Sequence, residues 1–151
     1  KKTLGSEWRQ YEEAFPKLQT SNIDIISLEC HNSRVPMDLL ELIRGKKVMV
    51  GAIDVATNSV ETPEEVADTL RKALQFVDAD KLYPSTNCGM APLSRQVANG
   101  KLKALSAGAE IIRKELGALA AEAQQMRKSG KQLESERASG RPESRSKGVD
   151  R

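Results

Sequence analysis

The chain has 151 residues and a net charge of +3, which suits one domain or part of a larger one. It contains no run of 18 apolar residues, so the sequence predicts no membrane-spanning helix. Residues 128–151 hold seven basic and four acidic side chains, so residues 1–127 are neutral overall, and the whole chain has five aromatic residues. We therefore expect no nucleic-acid partner and no membrane partner.

The beginning of the chain and its cysteines carry two further expectations. It starts Lys1-Lys2-Thr3, without an initiator methionine or an apolar leader, so we expect that it begins part-way through a longer gene product. Its two cysteines, Cys30 and Cys88, are too few for a disulfide framework. They favour a reducing, cytoplasmic location.

The first predicted elements are a helix, a strand and a second helix. A helical face within residues 1–20 is predicted from Trp8, Tyr11, Phe15 and Leu18, and Pro16 is expected to stop or kink this helix. The apolar run 23–28 predicts a strand, which ends in the polar group 29–33. A helix is predicted over 37–43.

Two more strand–helix pairs follow. The apolar run 48–53 predicts a second strand that ends in Asp54. Thr62, Pro63 and Glu65 form the pattern of a capping box and predict the start of the next helix. A third strand is predicted to end in residues 85–89, and a long helix follows from about 93 to 127.

This order predicts an α/β fold and two regions. Apolar strands that alternate with helices are typical of a parallel sheet with helical crossovers. Residues 1–127 are predicted to form this part. Residues 128–151 have few large apolar side chains and several Gly, Ser and Pro residues. We expect them to be a basic, low-complexity, disordered tail.

The predicted strand ends place several polar side chains at one edge of the sheet. Active sites of parallel α/β folds lie at this edge, where we expect Glu29, Asp54 and Cys88. A carboxylate and a thiolate are donors that zinc accepts. Each residue also has a more common structural interpretation: a capping or ion-paired Glu29, an Asp54 that accepts hydrogen bonds in its own loop, and a small buried Cys88.

The only histidine and the other cysteine also lie at this edge. His31 would share a face with Glu29 if the strand continued, but a loop or interface histidine is favoured. Cys30 is expected to point away from Glu29 and to serve in packing. The common nucleotide-binding and serine-hydrolase motifs are absent from the sequence.

Four segments together resemble the carboxyl-terminal catalytic barrel of cobalamin-independent methionine synthases. They are I-D-I-I-S-L-E at 23–29, V-G-A-I-D at 50–54, E-T-P-E-E-V at 61–66 and Y-P-S-T-N-C-G-M at 83–90. The resemblance covers about residues 7–119. It implies the last three βα units of a (β/α)₈ barrel whose amino-terminal half lies outside this chain.

The same resemblance implies a chemistry. Members of the family use Zn²⁺ to activate homocysteine, which accepts a methyl group from 5-methyltetrahydrofolate. The family's metal ligands correspond to Glu29 and Cys88 here, together with an upstream His-x-Cys pair that this chain does not contain. We therefore expect the chain to be inactive alone.

One departure concerns the methyl donor. The long form of the family has a D-I-H motif whose histidine is implicated in protonating the leaving folate. The matching residues here are Asp54, Val55 and Ala56, so Asp54 is kept as a catalytic candidate and the histidine is absent. Methyl transfer from a corrinoid carrier is a hypothesis that fits this change.

Two other interpretations remain open at the level of sequence. The chain could be a non-catalytic remnant or an interaction module that acts through its tail. It could also belong to a uroporphyrinogen-decarboxylase-like barrel, whose chemistry needs no metal-bound thiolate. Zinc content of the intact protein would separate these possibilities.

Overall fold

The structure, a computed structural model, describes residue 9 and residues 11–139. The described residues form two compact units, which divide between residues 113 and 114. The elements, in chain order, are α1 (Tyr11–Gln19), β1 (Ile25–Glu29), a 3₁₀ helix (Met37–Ile43), β2 (Lys47–Gly51), α2 (Pro63–Ala73), a short 3₁₀ turn (Ala79–Lys81), β3 (Leu82–Ser85) and α3 (Arg95–Ser139). The long helix α3 begins in the first unit and ends in the second.

The three strands form one parallel sheet in the order β1-β2-β3. Their last residues are level with one another, since Glu29 pairs with Gly51 and Gly51 pairs with Ser85. The predicted α/β class with a parallel sheet is confirmed. A parallel sheet with helical connections is the arrangement found in part of a (β/α)₈ barrel.

The two faces of the sheet differ in burial. One face contributes Ile26, Val48 and Val50 to a core that includes helical residues such as Phe15, Leu39, Ile43, Val66 and Leu70, each at most 7% exposed. The opposite face leaves Ile25, Met49 and Tyr83 exposed by 46%, 39% and 41%. In a closed barrel the side chains on such a face point inward and pack in layers.

The predicted start of α2 is confirmed by its hydrogen bonds. The Thr62 hydroxyl accepts a bond of 3.2 Å from the Glu65 backbone amide, and the Glu65 carboxylate accepts one of 2.7 Å from the Thr62 amide. Pro63 occupies the first helical position. A backbone N–H at this position would have no acceptor within the helix, so proline loses no helical hydrogen bond there.

Pro16, predicted to stop or kink the first helix, does not stop it. Helix α1 continues through Pro16 to Gln19. Phe15, beside the proline, is 1% exposed, and its ring lies 5.5 Å from the ring of Tyr11. The packing of this aromatic side chain outweighs the one backbone bond that proline cannot make. Trp8, assigned to the same helical face, lies outside the described residues.

The predicted end of the long helix near residue 127 is also wrong. Helix α3 continues to Ser139, so residues 128–139 are helical rather than part of a disordered tail. Seven of these twelve residues are Lys, Glu, Gln, Arg or Ala, which favour helix without needing burial, and side chains 117–132 are exposed. Residues 140–151 of the predicted tail lie outside the described residues. None of the helices within residues 11–139 has an apolar stretch that could cross a bilayer.

Candidate functional site

The two candidate metal ligands lie at the carboxyl edge of the sheet. Glu29 is the last residue of β1, and its side chain is exposed on the same face as Ile25 and Ser27. Cys88 lies three residues beyond the end of β3 and is also exposed. Strand β2 separates them, so the backbones of β1 and β3 run roughly 10 Å apart.

Asn87 connects the loops that follow the three strands. Its side-chain Nδ2 donates a hydrogen bond of 2.8 Å to the His31 carbonyl, and its backbone amide donates one of 2.9 Å to the Ile53 carbonyl. The His31 amide in turn donates to the Gly51 carbonyl over 2.8 Å. The residue before Cys88 is therefore held against the ends of both β1 and β2. This role of Asn87 was not predicted, although the residue lies in the segment 83–90 that carries the family resemblance.

Asp54 is half-buried and accepts one hydrogen bond from its own loop and one from the segment after β1. Its carboxylate accepts from the Ala56 amide at 2.8 Å and from Asn32 Nδ2 at 3.3 Å. These bonds, the Ala56 amide first, lower the pKa of Asp54 below its ordinary value of 3.8. Asp54 thus accepts hydrogen bonds as its structural interpretation predicts. Its carboxylate is ionised at neutral pH.

A buried ion pair supports the loop that starts at Asp54. Lys101 of α3 is 0% exposed, and its Nζ lies 3.1 and 3.0 Å from the two carboxylate oxygens of Glu61. Lys101 also donates to the Ser59 carbonyl. Glu61 Oε1 accepts a bond of 2.9 Å from the Asp54 amide. Since Lys101 and Glu61 lie 40 residues apart in sequence, no local pattern could have revealed them.

His31 lies in a loop, one of the two positions predicted for it. Strand β1 ends at Glu29, so His31 lies in the following turn. Its Nδ1 is 3.1 Å from the Thr69 hydroxyl oxygen of α2. It faces a cleft of about 250 Å³ between this turn and α2, lined by Cys30, His31, Asn32, Met37, Glu65, Asp68, Thr69 and Lys72.

The two cysteines, both free thiols, have different surroundings. Burial raises the pKa of Cys30 from 9.0 to about 11, and its Sγ lies 3.6 Å from the Leu28 carbonyl oxygen. Cys30 is half-buried, which agrees with the packing role predicted for it. Cys88 is exposed, which contradicts the alternative that it is a small buried hydrophobe.

We expect alkylation to distinguish the two thiols. At pH 8 a pKa of about 11 leaves about one Cys30 in a thousand as thiolate, the reactive form. Iodoacetamide should therefore modify Cys88 well before Cys30 in the metal-free folded protein. Mass spectrometry of peptides over a time course measures both rates, and unfolding in urea supplies the control in which the rates converge. Equal rates in the folded state would contradict the burial of Cys30.

The donor chemistry of this edge fits zinc in part. A carboxylate and a thiol are accepted zinc donors, but zinc sites use three or four protein ligands. Among residues 11–139, no group of three or more His, Cys, Asp or Glu side chains is arranged to hold a metal ion. Glu29 and Cys88 could therefore supply two ligands of a site that other residues complete.

Comparison with known proteins identifies the family. Residues 8–111 match the family described as the catalytic domain of the cobalamin-independent synthase. The chain belongs to the cobalamin-independent methionine synthase family. This membership favours the methionine synthase interpretation over the decarboxylase-like barrel.

Individual relatives include two methionine synthases and one lyase. A structure described as a B12-independent methionine synthase from Shewanella sp. W3-18-1 in complex with selenomethionine is 85% identical, with a TM-score of 0.75 over 78% of this chain and 34% of that one. A methionine synthase of Saccharolobus islandicus is 34% identical over 110 residues, covering 71% of this chain and 33% of the relative. A 2-hydroxypropyl-CoM lyase of Xanthobacter autotrophicus is 34% identical over 108 residues, covering 67% and 29%.

The chain spans about a third of the length of these methionine synthase relatives. The described sheet has three strands, whereas a complete (β/α)₈ barrel has eight. A whole methionine synthase therefore contains barrel strands that this chain does not include.

Proposed function

We propose that this chain supplies the carboxyl-terminal βα units of a zinc-dependent methionine synthase barrel that transfers a methyl group to homocysteine. The 85% identity to the Shewanella methionine synthase supports this most strongly. The 34% identity to the lyase equals that to the Saccharolobus methionine synthase, so those two comparisons do not discriminate. The far higher identity to the Shewanella methionine synthase favours methyl transfer. Two free cysteines agree with a cytoplasmic location.

In this proposal Glu29 and Cys88 hold the zinc ion together with ligands from upstream residues. Both side chains are exposed at one edge of the sheet, as metal access requires. Zinc held there would favour the thiolate form of the homocysteine sulfur at neutral pH, which is the nucleophile that methyl transfer requires. Two ligands alone would bind zinc weakly, so we propose that the isolated chain is inactive.

The chain's other residues shape the loop beside this edge. Asp54 is held ionised by the Ala56 amide and Asn32, and Glu61 fixes the Asp54 backbone. An ionised Asp54 can orient a substrate donor or accept a proton. Ala56 carries no group that could protonate a leaving folate. We therefore propose that the methyl donor is either 5-methyltetrahydrofolate, with the proton supplied by a group other than residue 56, or a second carrier such as a corrinoid protein.

The test uses a complete barrel, which here means this chain preceded by the upstream segment of the Shewanella methionine synthase. We expect one zinc ion per complete barrel by metal analysis. Cys88→Ser should lose the zinc or bind it far more weakly, whereas the matched variant Cys30→Ser should retain it. Zinc-loaded protein can then be assayed for methionine formation with 5-methyltetrahydrofolate and with methylcobalamin as donors. Absence of zinc from the unmodified complete barrel, or equal zinc in Cys88→Ser, would reject the proposal.

A further inference from the structure

Asn87 makes a contact that the sheet itself does not provide. Strands β1 and β3 are both paired to β2 and not to each other. The bond from Asn87 Nδ2 to the His31 carbonyl crosses this separation and joins the segment after β3 to the segment after β1. His31 follows Glu29 by two residues, and Cys88 follows Asn87 directly. One side-chain amide thus links the two segments that carry the candidate zinc ligands.

The surroundings of Asn87 leave its side chain little freedom. The backbone amide of Asn87 donates to the Ile53 carbonyl, so its main chain is fixed to the end of β2. On its other side, Gly51 approaches so closely that a Cβ there would lie 2.5 Å from Asn87 Oδ1 and 2.8 Å from Asn87 Cα. Asn87 Oδ1 is buried and has no hydrogen-bond partner. The amide is therefore oriented by packing and by its single donor bond.

We propose that Asn87 is a positioning residue for the metal site, and that its amide sets where the Cys88 sulfur lies relative to the Glu29 carboxylate. This inference rests on the proposed zinc-dependent function. A residue that orients a metal ligand typically changes metal affinity 10- to 100-fold when it is replaced. The amide acts on Cys88 through the main chain, so neither a charge nor a proton transfer is involved.

The chain offers a matched control at the other end of the sheet. Gln19 also donates its side-chain amide to a backbone carbonyl, that of Arg44, over 2.7 Å, and its Oε1 is likewise buried without a partner. Gln19 ends α1 and Arg44 precedes β2, so this contact lies near the amino ends of the strands. Gln19→Leu removes the same type of bond without touching the segments of Glu29 or Cys88.

The experiment measures zinc affinity in the complete barrel by competition with a chromophoric chelator. Asn87→Ala and Asn87→Leu are both made. If one of them fails to fold at this half-buried position, the other still tests the loss of the amide. We expect about 10- to 100-fold weaker zinc binding in the Asn87 variants and an unchanged affinity in Gln19→Leu. With Co²⁺ in place of zinc, the thiolate-to-metal absorption band of the Asn87 variants should lose intensity, and the band of Cys88→Ser shows how much of that intensity belongs to the Cys88 bond.

The outcomes separate the inference from the function on which it rests. If the unmodified complete barrel binds no zinc, the proposed function and this inference both fall. If it binds zinc in a Cys88-dependent way and a folded Asn87 variant binds equally well, the inference alone is overturned. An equal loss of affinity in Gln19→Leu would assign the effect to general destabilisation and would also overturn it.

Discussion

Replacement of Lys101 by methionine should lower the free energy of unfolding of the complete barrel by about 3–5 kcal/mol. The Lys101 side chain is 0% exposed and that of Glu61 is 6% exposed. Methionine fills similar space but leaves the Glu61 carboxylate with no cation, away from water. An uncompensated buried charge costs far more than a surface ion pair contributes. Urea unfolding monitored by circular dichroism measures the change.

The control for this prediction is the same substitution two residues away. Lys103 lies on the exposed side of α3, so Lys103→Met should change stability by no more than about 0.5 kcal/mol. Adding Glu61→Gln to Lys101→Met should recover part of the loss, because the glutamine is neutral and its Oε1 can still accept from the Asp54 amide. A Lys101→Met protein as stable as Lys103→Met would show that water reaches this pair.

Gly51→Ala is expected to destabilise the complete barrel by about 1–3 kcal/mol, the usual cost of overpacking. The added Cβ would lie 2.5 Å from Asn87 Oδ1, 2.8 Å from Asn87 Cα and 2.9 Å from the Leu28 carbonyl oxygen. Two of these three atoms belong to the backbone, so rotation of a side chain cannot relieve the overlap. Thermal unfolding measures the loss.

Gly117→Ala provides the comparison, since a Cβ at Gly117 meets nothing within 4 Å. Within a helix this change should stabilise by up to about 1 kcal/mol. Gly51→Ala should also cost less in an Asn87→Ala background, because the nearest clashing atom is then absent and residues in contact do not act additively. Full tolerance of Gly51→Ala in the unmodified background would contradict the close approach of β2 to Asn87.

Local signals predicted the parts of the fold that depend on local bonds. The start of α2 follows from Thr62, Pro63 and Glu65, which lie within four residues and make the predicted bonds. The alternation of apolar strands with helices was likewise sufficient for a parallel sheet. The predicted end of helix α3 is too early because residues 128–139 have few large apolar side chains. Helix propensity accounts for the helix in this segment.

The candidate site was only partly predictable for a different reason. Parallel strand order was enough to bring Glu29 and Cys88 to one edge of the sheet. The groups that support this edge were not found, because each depends on a partner far along the chain. Asn87 bonds to a carbonyl 56 residues away, and Lys101 reaches a carboxylate 40 residues away. A single sequence gives the residue types but not such pairings.

The order of strands in the sheet has a consequence for synthesis on the ribosome. Each strand pairs with the one made just before it, so the sheet can grow in the order in which its strands emerge. The bond from Asn87 to the His31 carbonyl spans 56 residues and can form only after β3 has joined. Strand β1, which carries Glu29, is thus in place before β3 is made. The Cys88 thiol reaches the carboxyl edge of the sheet after Glu29.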